Sequence, residues 1–372
     1  MTALRLAVIG SGHLGRIHAK LAQSSDQFDV VAVIDPSEPA RQLASEQLGV
    51  RTEASVDSVL DQIDAAIVAS PTVAHYEITS QLLRSGVDCL VEKPLATTAQ
   101  QADRLVQIAR NHSRVLQVGH VERFNPCWTA VQSHVRTPKY IEAVRSGPYS
   151  GRSTDIGVVM DLMIHDLDLI LSLDRSPVEK VSASGIALLG KHEDLAEARI
   201  EFASGLIATI RASRVASGAT RQMQVFAPGG HAQIDFSGDE VKLTKPSLDV
   251  ISRSVGLDDL PAEQRMDAKQ KILTDFLVSD SIQAPKRNAI LDEQNDFAIS
   301  IKTGASPAVT GEDGARAVSV ANTILEQIAD HQWDGLESKP WRIGALATME
   351  PRILPLPQRQ PTTVEQPQRR AG

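Results

Sequence analysis

Leu4-Arg-Leu-Ala-Val-Ile-Gly10-Ser-Gly-His-Leu-Gly15 is the stretch on which the fold turns. Residues 4–9 form a short apolar run, Gly10 stops it, and helix-like residues 14–24 follow, so a strand feeds a helix through a glycine turn. In the spacing G-x-G-x-x-G, Gly10 permits the tight turn, Gly12 lets a pyrophosphate approach the backbone, and Gly15 lets the helix pack close to the strand. The N–H groups at the helix start, around His13 and Leu14 after Ser11, then face the anion. Asp35 stands 20 residues beyond Gly15, at the end of a second apolar run over residues 30–34. A carboxylate there accepts hydrogen bonds from ribose hydroxyls and repels a 2′-phosphate, so NAD is expected over NADP, with Arg41 softening the preference.

Outward from this unit the alternation repeats. Helices are expected at residues 40–48, closed by Gly49, at 75–85, closed by Gly86, and at 98–111; strands are expected at 65–69, 89–91 and 115–118. Apolar strands separated by helices require crossovers and so predict a doubly wound parallel sheet, an α/β Rossmann domain over residues 1–122. A helix at 161–173 then leads into alternating segments at 178–186, 196–202, 206–215, 223–226, 232–236 and 240–245, separated by turns such as Pro228-Gly229-Gly230. Residues 123–340 therefore read as an α+β domain with a largely antiparallel sheet, closed by helices at 262–281 and 311–331. Residues 341–372, with five prolines among Gln and Arg, read as a disordered tail.

The composition narrows the function classes. The 372 residues are 42% hydrophobic and 23% charged, the profile of a folded water-soluble chain. The net charge is −8, with a tail of +3 on a body of −11, and only 3% of residues are aromatic. Neither attraction to a polyanionic partner nor base-stacking platforms are indicated, so no nucleic acid partner is expected. No apolar run is long enough to span a membrane or to serve as a signal peptide core, and two cysteines make no disulfide framework. A cytoplasmic protein is expected, with Cys89 in the core.

Three further segments carry chemistry. Ser70-Pro71-Thr72, with His75 after it, ends one strand on the edge where a doubly wound sheet binds ligands, and Glu92-Lys93-Pro94 ends the next. There Lys93 can place an ammonium against a reacting oxygen, and Pro94 fixes the turn that aims it. On the helix at 161–173, Asp161 and His165 are four residues apart and share a face; Asp161 can orient His165, whose ordinary pKa suits proton transfer. This pair has no third His or Cys nearby, so no metal is expected. Arg123, Lys139, Arg145 and Arg152 cluster in an otherwise acidic chain and could fork onto a diphosphate, or could be scattered surface charges.

Together these motifs resemble the Gfo/Idh/MocA oxidoreductase family, over most of residues 3–330. The resemblance implies an N-terminal Rossmann domain, a C-terminal domain whose open sheet often mediates oligomers (a dimer or tetramer), and oxidation of a sugar or polyol hydroxyl by a nicotinamide cofactor. Lys93 and His165 then fall at catalytic positions with Asp161 assisting, and Gly10–Gly15, Asp35, Ser70, Pro71, Thr72, His75, Glu92 and Lys93 fall at the cofactor. Residues 117–126, Gln-Val-Gly-His-Val-Glu-Arg-Phe-Asn-Pro, and 151–159 are similar to the UDP-N-acetylglucosamine 3-dehydrogenases that begin diamino-sugar synthesis for lipid A. That narrower likeness places His120, Arg123, Asn125, Arg145 and Arg152 at the substrate. A neutral-polyol dehydrogenase, and a regulatory protein that binds NAD and sugar without turnover, remain open alternatives at this level.

Overall fold

The computed structural model describes residues 2–151, 155–254 and 260–331. The first half alternates β1 (Leu4–Ile9), α1 (His13–Gln23), β2 (Phe28–Ile34), α2 (Glu38–Leu48), β3 (Thr52–Glu53), β4 (Ala65–Val68), α3 (Thr72–Arg84), β5 (Asp88–Glu92), α4 (Ala99–Asn111) and β6 (Leu116–Gly119). All six strands pair in parallel in the order β3-β2-β1-β4-β5-β6. The order reverses between β1 and β4, which opens a crevice beyond the carboxyl ends of those strands. β4 and β5 are buried along their whole length, as strands covered on both faces must be.

A 3₁₀ turn at Val121–Phe124 and α5 (Pro126–Val131) lead to β7 (Tyr140–Ser146). A π-helical turn at Val159–Met163 continues directly into α6 (Ile164–Leu173). There follow β8 (Val178–Ile186), β9 (Leu195–Phe202), β10 (Ile207–Ser213), β11 (Thr220–Ala227), β12 (Gly230–Asp235), β13 (Glu240–Pro246), α7 (Leu248–Ile251), α8 (Ala262–Lys271) and β14 (Leu277–Gln283), then α9 (Ala289–Thr303) and α10 (Gly311–Asp330). The eight strands form one sheet in the order β14-β13-β12-β11-β7-β10-β9-β8, antiparallel except where β7 meets β10. Burial alternates along β9, β10 and β7, so one face of this sheet is core and the other is open.

Several sequence expectations are corrected. The helix expected at 262–281 runs as α8 to Lys271 and as a π-helical turn over Ile272–Phe276, but its last residues are β14, because Leu277–Gln283 complete the ladder of β13. β7, in the middle of the second sheet, and α9 were not foreseen. Two late helices also pack back on the first half of the chain. Phe297 and Ala298 of α9 share a core with Leu6, Val8 and Ile67 of the first sheet, and α10 packs on α4 as well as α6. The tail at 341–372 lies outside the described residues.

Candidate active site

The crevice is assembled from the ends of β1, β2, β4 and β5. Gly10 has φ 98°, and a Cβ there would sit 2.6 Å from the Ala69 carbonyl oxygen, so the glycine lets β1 and β4 close against each other. A Cβ at Gly15 would meet the Gly10 carbonyl at 1.9 Å, whereas one at Gly12 would meet no protein atom within 4 Å. The first and third glycines thus serve close packing, and the second borders open space. No side chain caps the start of α1, whose N-cap is Gly12, leaving its N–H groups for an anion.

Asp35 reaches back to this loop. Its Oδ2 accepts from the Ser11 backbone N–H at 2.8 Å and the Ser11 hydroxyl at 2.9 Å, and its Oδ1 accepts from Ser37 N–H at 2.9 Å. Arg41 turns its guanidinium onto the Asp35 and Pro36 carbonyls at 2.8 and 3.0 Å. On the other side of the crevice the buried His75 bridges two turns, with Nε2 2.8 Å from the Ser70 carbonyl and Nδ1 2.9 Å from the Pro94 carbonyl. It ties the end of β4 to the end of β5. Ser70 Oγ is buried beside them without a partner among the described residues, and Pro71 and Thr72 start α3. Glycine loop, Asp35, Ser70 turn and buried orphan hydroxyl together fit a dinucleotide.

Lys93, just after β5, donates Nζ to the Asp161 carbonyl at 2.7 Å and to Asp161 Oδ1 at 3.0 Å. The expectation that Asp161 orients His165 is therefore corrected: the carboxylate serves Lys93. The physical reason is the π-helical turn. Four-residue spacing shares a face only at the regular helical period, and the wider i→i+5 turn at Val159–Met163 alters both the facing of Asp161 and the use of its carbonyl. An ammonium has three donors, so one of Lys93 remains for a substrate oxygen. His165 is partly exposed, and burial together with Lys93, Arg145, His120 and Arg221 holds its imidazole well below the usual range, so it is neutral near pH 7.

Glu92 lies under the crevice, buried. Its Oε1 takes His18 Nε2 at 2.8 Å and its Oε2 takes the Lys93 backbone N–H at 3.2 Å. Burial alone would raise this carboxyl, but His18 and Lys93 outweigh that and hold it below the usual carboxylate range. Gln294 of α9 donates to the His18 carbonyl and faces His18 Nδ1, both at 3.0 Å, so Nδ1 accepts and Nε2 carries the hydrogen toward Glu92. Glu293 completes the one group among the described residues whose His and carboxylate atoms lie within 4.8 Å of one another. With the hydrogen on His18 Nε2 directed at Glu92, that nitrogen offers a cation no lone pair. His18, Glu193, Glu293 and Gln294 were all missed by sequence reading. The one available signal was His18, on the buried side of an amphipathic α1.

The arginines expected at the substrate are engaged inside the protein. Arg123 holds Asp168 bidentately at 2.6 and 2.9 Å, and Arg145, 3% exposed, holds Asp166 at 3.0 and 2.9 Å and Glu122 at 2.7 Å. Asn125 caps α5 through Cys127 N–H and donates to Glu122 and the Phe236 carbonyl. These three residues fasten the 121–126 segment to α6, β7 and the end of β12, which corrects the reading of the two arginines as an open diphosphate fork. Arg152 lies outside the described residues. At the helix entrance Glu193, buried, accepts from Val159 N–H at 3.0 Å, and a Cβ on Gly157 would fall 2.0 Å from its Oε1.

Comparison with known proteins agrees with this architecture. Residues 4–120 match the family model described as the Gfo/Idh/MocA oxidoreductase family, NAD-binding Rossmann fold, and residues 128–233 match its C-terminal domain. A UDP-N-acetylglucosamine 3-dehydrogenase of Acidithiobacillus ferrooxidans is 32% identical over 326 residues, 86% of this chain and 96% of that protein. Its crystal structure superposes with a TM-score of 0.76 at 30% identity, covering 88% of this chain and 98% of the other. A myo-inositol 2-dehydrogenase of Thermotoga maritima is 27% identical over 353 residues, 90% and 99% of the two chains. The chain thus belongs to the Gfo/Idh/MocA oxidoreductase family, carrying its NAD-binding Rossmann fold, and is an enzyme acting on CH–OH groups as its dehydrogenase relatives are.

Proposed function

We propose that the protein oxidises a secondary hydroxyl of a nucleotide sugar, of the UDP-N-acetylglucosamine C3 type, with NAD as cofactor. The observation that carries the chemistry is the juxtaposition of Lys93, fixed at 2.7 and 3.0 Å by Asp161, with a neutral His165 beside the glycine-loop crevice. The substrate class is supported by 32% identity to a UDP-N-acetylglucosamine 3-dehydrogenase over 96% of its length.

The N–H groups at the start of α1, Asp35 and Ser70 would hold the dinucleotide, whose nicotinamide supplies the hydride acceptor. Asp35, at the end of β2, favours free ribose hydroxyls over a 2′-phosphate. Asp161 fills two donors of Lys93 and aims the third, so the ammonium stabilises negative charge as it grows on the substrate oxygen. His165, kept neutral by burial and by its cationic neighbours, accepts the hydroxyl proton. Acceptance by a positioned base contributes about 10²- to 10⁴-fold to such a step. A homo-oligomer and a cytoplasmic site of action complete the proposal.

A second reading is a neutral-polyol dehydrogenase. It is favoured by the internal pairing of Arg123 and Arg145 and by the myo-inositol relative. The test is NADH formation from UDP-N-acetylglucosamine and from myo-inositol. Selective turnover of the UDP-sugar is expected, with Lys93→Ala and His165→Ala binding NADH normally but turning over neither; full activity of either variant refutes the assignment.

A further inference from the structure

His165 lacks the partner that sequence spacing gave it, since Asp161 belongs to Lys93. Its Nδ1 is buried without a hydrogen-bond partner among the described residues, which leaves Nε2 as the accessible nitrogen of a partly exposed ring. A base of this kind is effective only if something fixes its tautomer. His120 is fully buried, and neither of its ring nitrogens has a hydrogen-bond partner among the described residues. Buried polar atoms are nearly always paired, so two neighbouring rings with three orphan nitrogens call for an explanation.

The backbone supplies one. His120 opens the 3₁₀ turn Val121–Phe124, and Arg123 N–H donates to the His120 carbonyl at 2.9 Å. His120 is the N-cap of this turn, three residues before Arg123, so the turn carries both residues on one short segment. On α6, His165 and Asp168 are also three apart and share a face. The Arg123–Asp168 bridge, at 2.6 and 2.9 Å, locks these two turns together as one rung. His120 and His165 each stand three residues before a partner of that bridge, and His120 is among the groups close enough to act electrostatically on His165.

We propose that His120 is the positioning residue of His165, accepting a hydrogen bond from Nδ1–H and so leaving the Nε2 lone pair toward the crevice. This rests on His165 being the base of the proposed reaction. The contact closes through one bridging water or as the crevice tightens around substrate, as catalytic hydrogen bonds commonly do. The charged neighbours suit the assignment. His165 is surrounded by Lys93, Arg145 and Arg221, while His120 faces Lys93, Glu92 and the paired Arg123 and Asp168. Burial lowers the pKa of His120 and keeps it neutral, so it has a lone pair to offer. His120 is too deeply buried to touch substrate, which corrects its expected place among the substrate-binding residues.

The test compares His120→Phe with His120→Gln, whose amide oxygen can still accept, in protein with ¹⁵N-labelled histidine. The His165 signals are assigned by their loss in His165→Asn. In the wild type and the Gln variant, ¹⁵N shifts should show His165 protonated on Nδ1; in the Phe variant they should move toward the Nε2–H tautomer. The Phe variant should also lose about tenfold or more in kcat with KM within about twofold, the Gln variant recovering most of it, and its kcat–pH profile should move. An unchanged His165 tautomer in a folded, NADH-binding Phe variant overturns the proposal. A wild type that oxidises neither substrate refutes the proposed reaction instead, and the NMR measurement still decides the pairing.

Discussion

Replacing Arg145 by Leu tests most directly whether the arginines of the 120–150 region belong to the interior or to a ligand. Arg145 makes three hydrogen bonds of 2.7–3.0 Å to Asp166 and Glu122, carboxylates that are 1% and 7% exposed. Leucine fills much of the space but leaves two buried carboxylates without their cation. Breaking one side of a buried ion pair costs about 3–5 kcal/mol. For a cooperative unit of roughly 150–250 residues each kcal/mol lowers Tm by about 2–4 °C, so a fall of roughly 6–20 °C is expected. The loss also depends on pH. Burial already raises the Asp166 carboxyl despite Arg145, so the folded state holds a proton that the unfolded chain releases, and stability falls as pH rises above the ordinary carboxylate range. Removing Arg145 widens that window, and urea melts should show a larger deficit at about pH 8 than at about pH 5. A variant that melts within about 1 kcal/mol of wild type at both pH values, yet loses affinity for a UDP-sugar, would refute the interior role.

Other substitutions probe the rest of the site. Gly157→Ala drives a Cβ into the Glu193 carboxylate that accepts Val159 N–H, and should cost roughly 2–4 kcal/mol by thermal melt while lowering kcat; a neutral effect would mean that Glu193 does not hold the start of the Asp161 turn. Glu293→Gln removes a carboxyl that burial, Glu92, Asp296 and Asp168 raise well above its usual range. Because a raised folded-state carboxyl loses stability as pH rises, the variant should gain on wild type from about pH 5 to about pH 8 in urea melts, and a constant offset would count against it. Asp35→Asn should weaken NADH binding about tenfold and narrow its advantage over NADPH, measured by fluorescence titration; an unchanged ratio would remove Asp35 from cofactor choice.

Much of this was legible in the chain itself. The β1–Gly10–α1 stretch, Asp35 after β2 and the repeated strand–helix alternation are local patterns, set by periodicity, glycine conformation and anion-binding geometry over a few residues. They determined the Rossmann sheet and the placing of Ser70, His75, Glu92 and Lys93 on one edge. What they could not carry was pairing between distant segments. β14 is strand because β13 offers it a ladder, and α9 joins the first sheet because Phe297 finds a core there. Arg123, Arg145 and Asn125 read as open polar groups until their carboxylate and carbonyl partners arrive from α6, the 3₁₀ turn and the end of β12. Asp161 and His165 were assigned to each other by a helical period that one π turn breaks. Sequence fixes what a segment can form and which chemistry it bears; only the tertiary structure, through burial that forces every charge to find a partner, decides which partner that is.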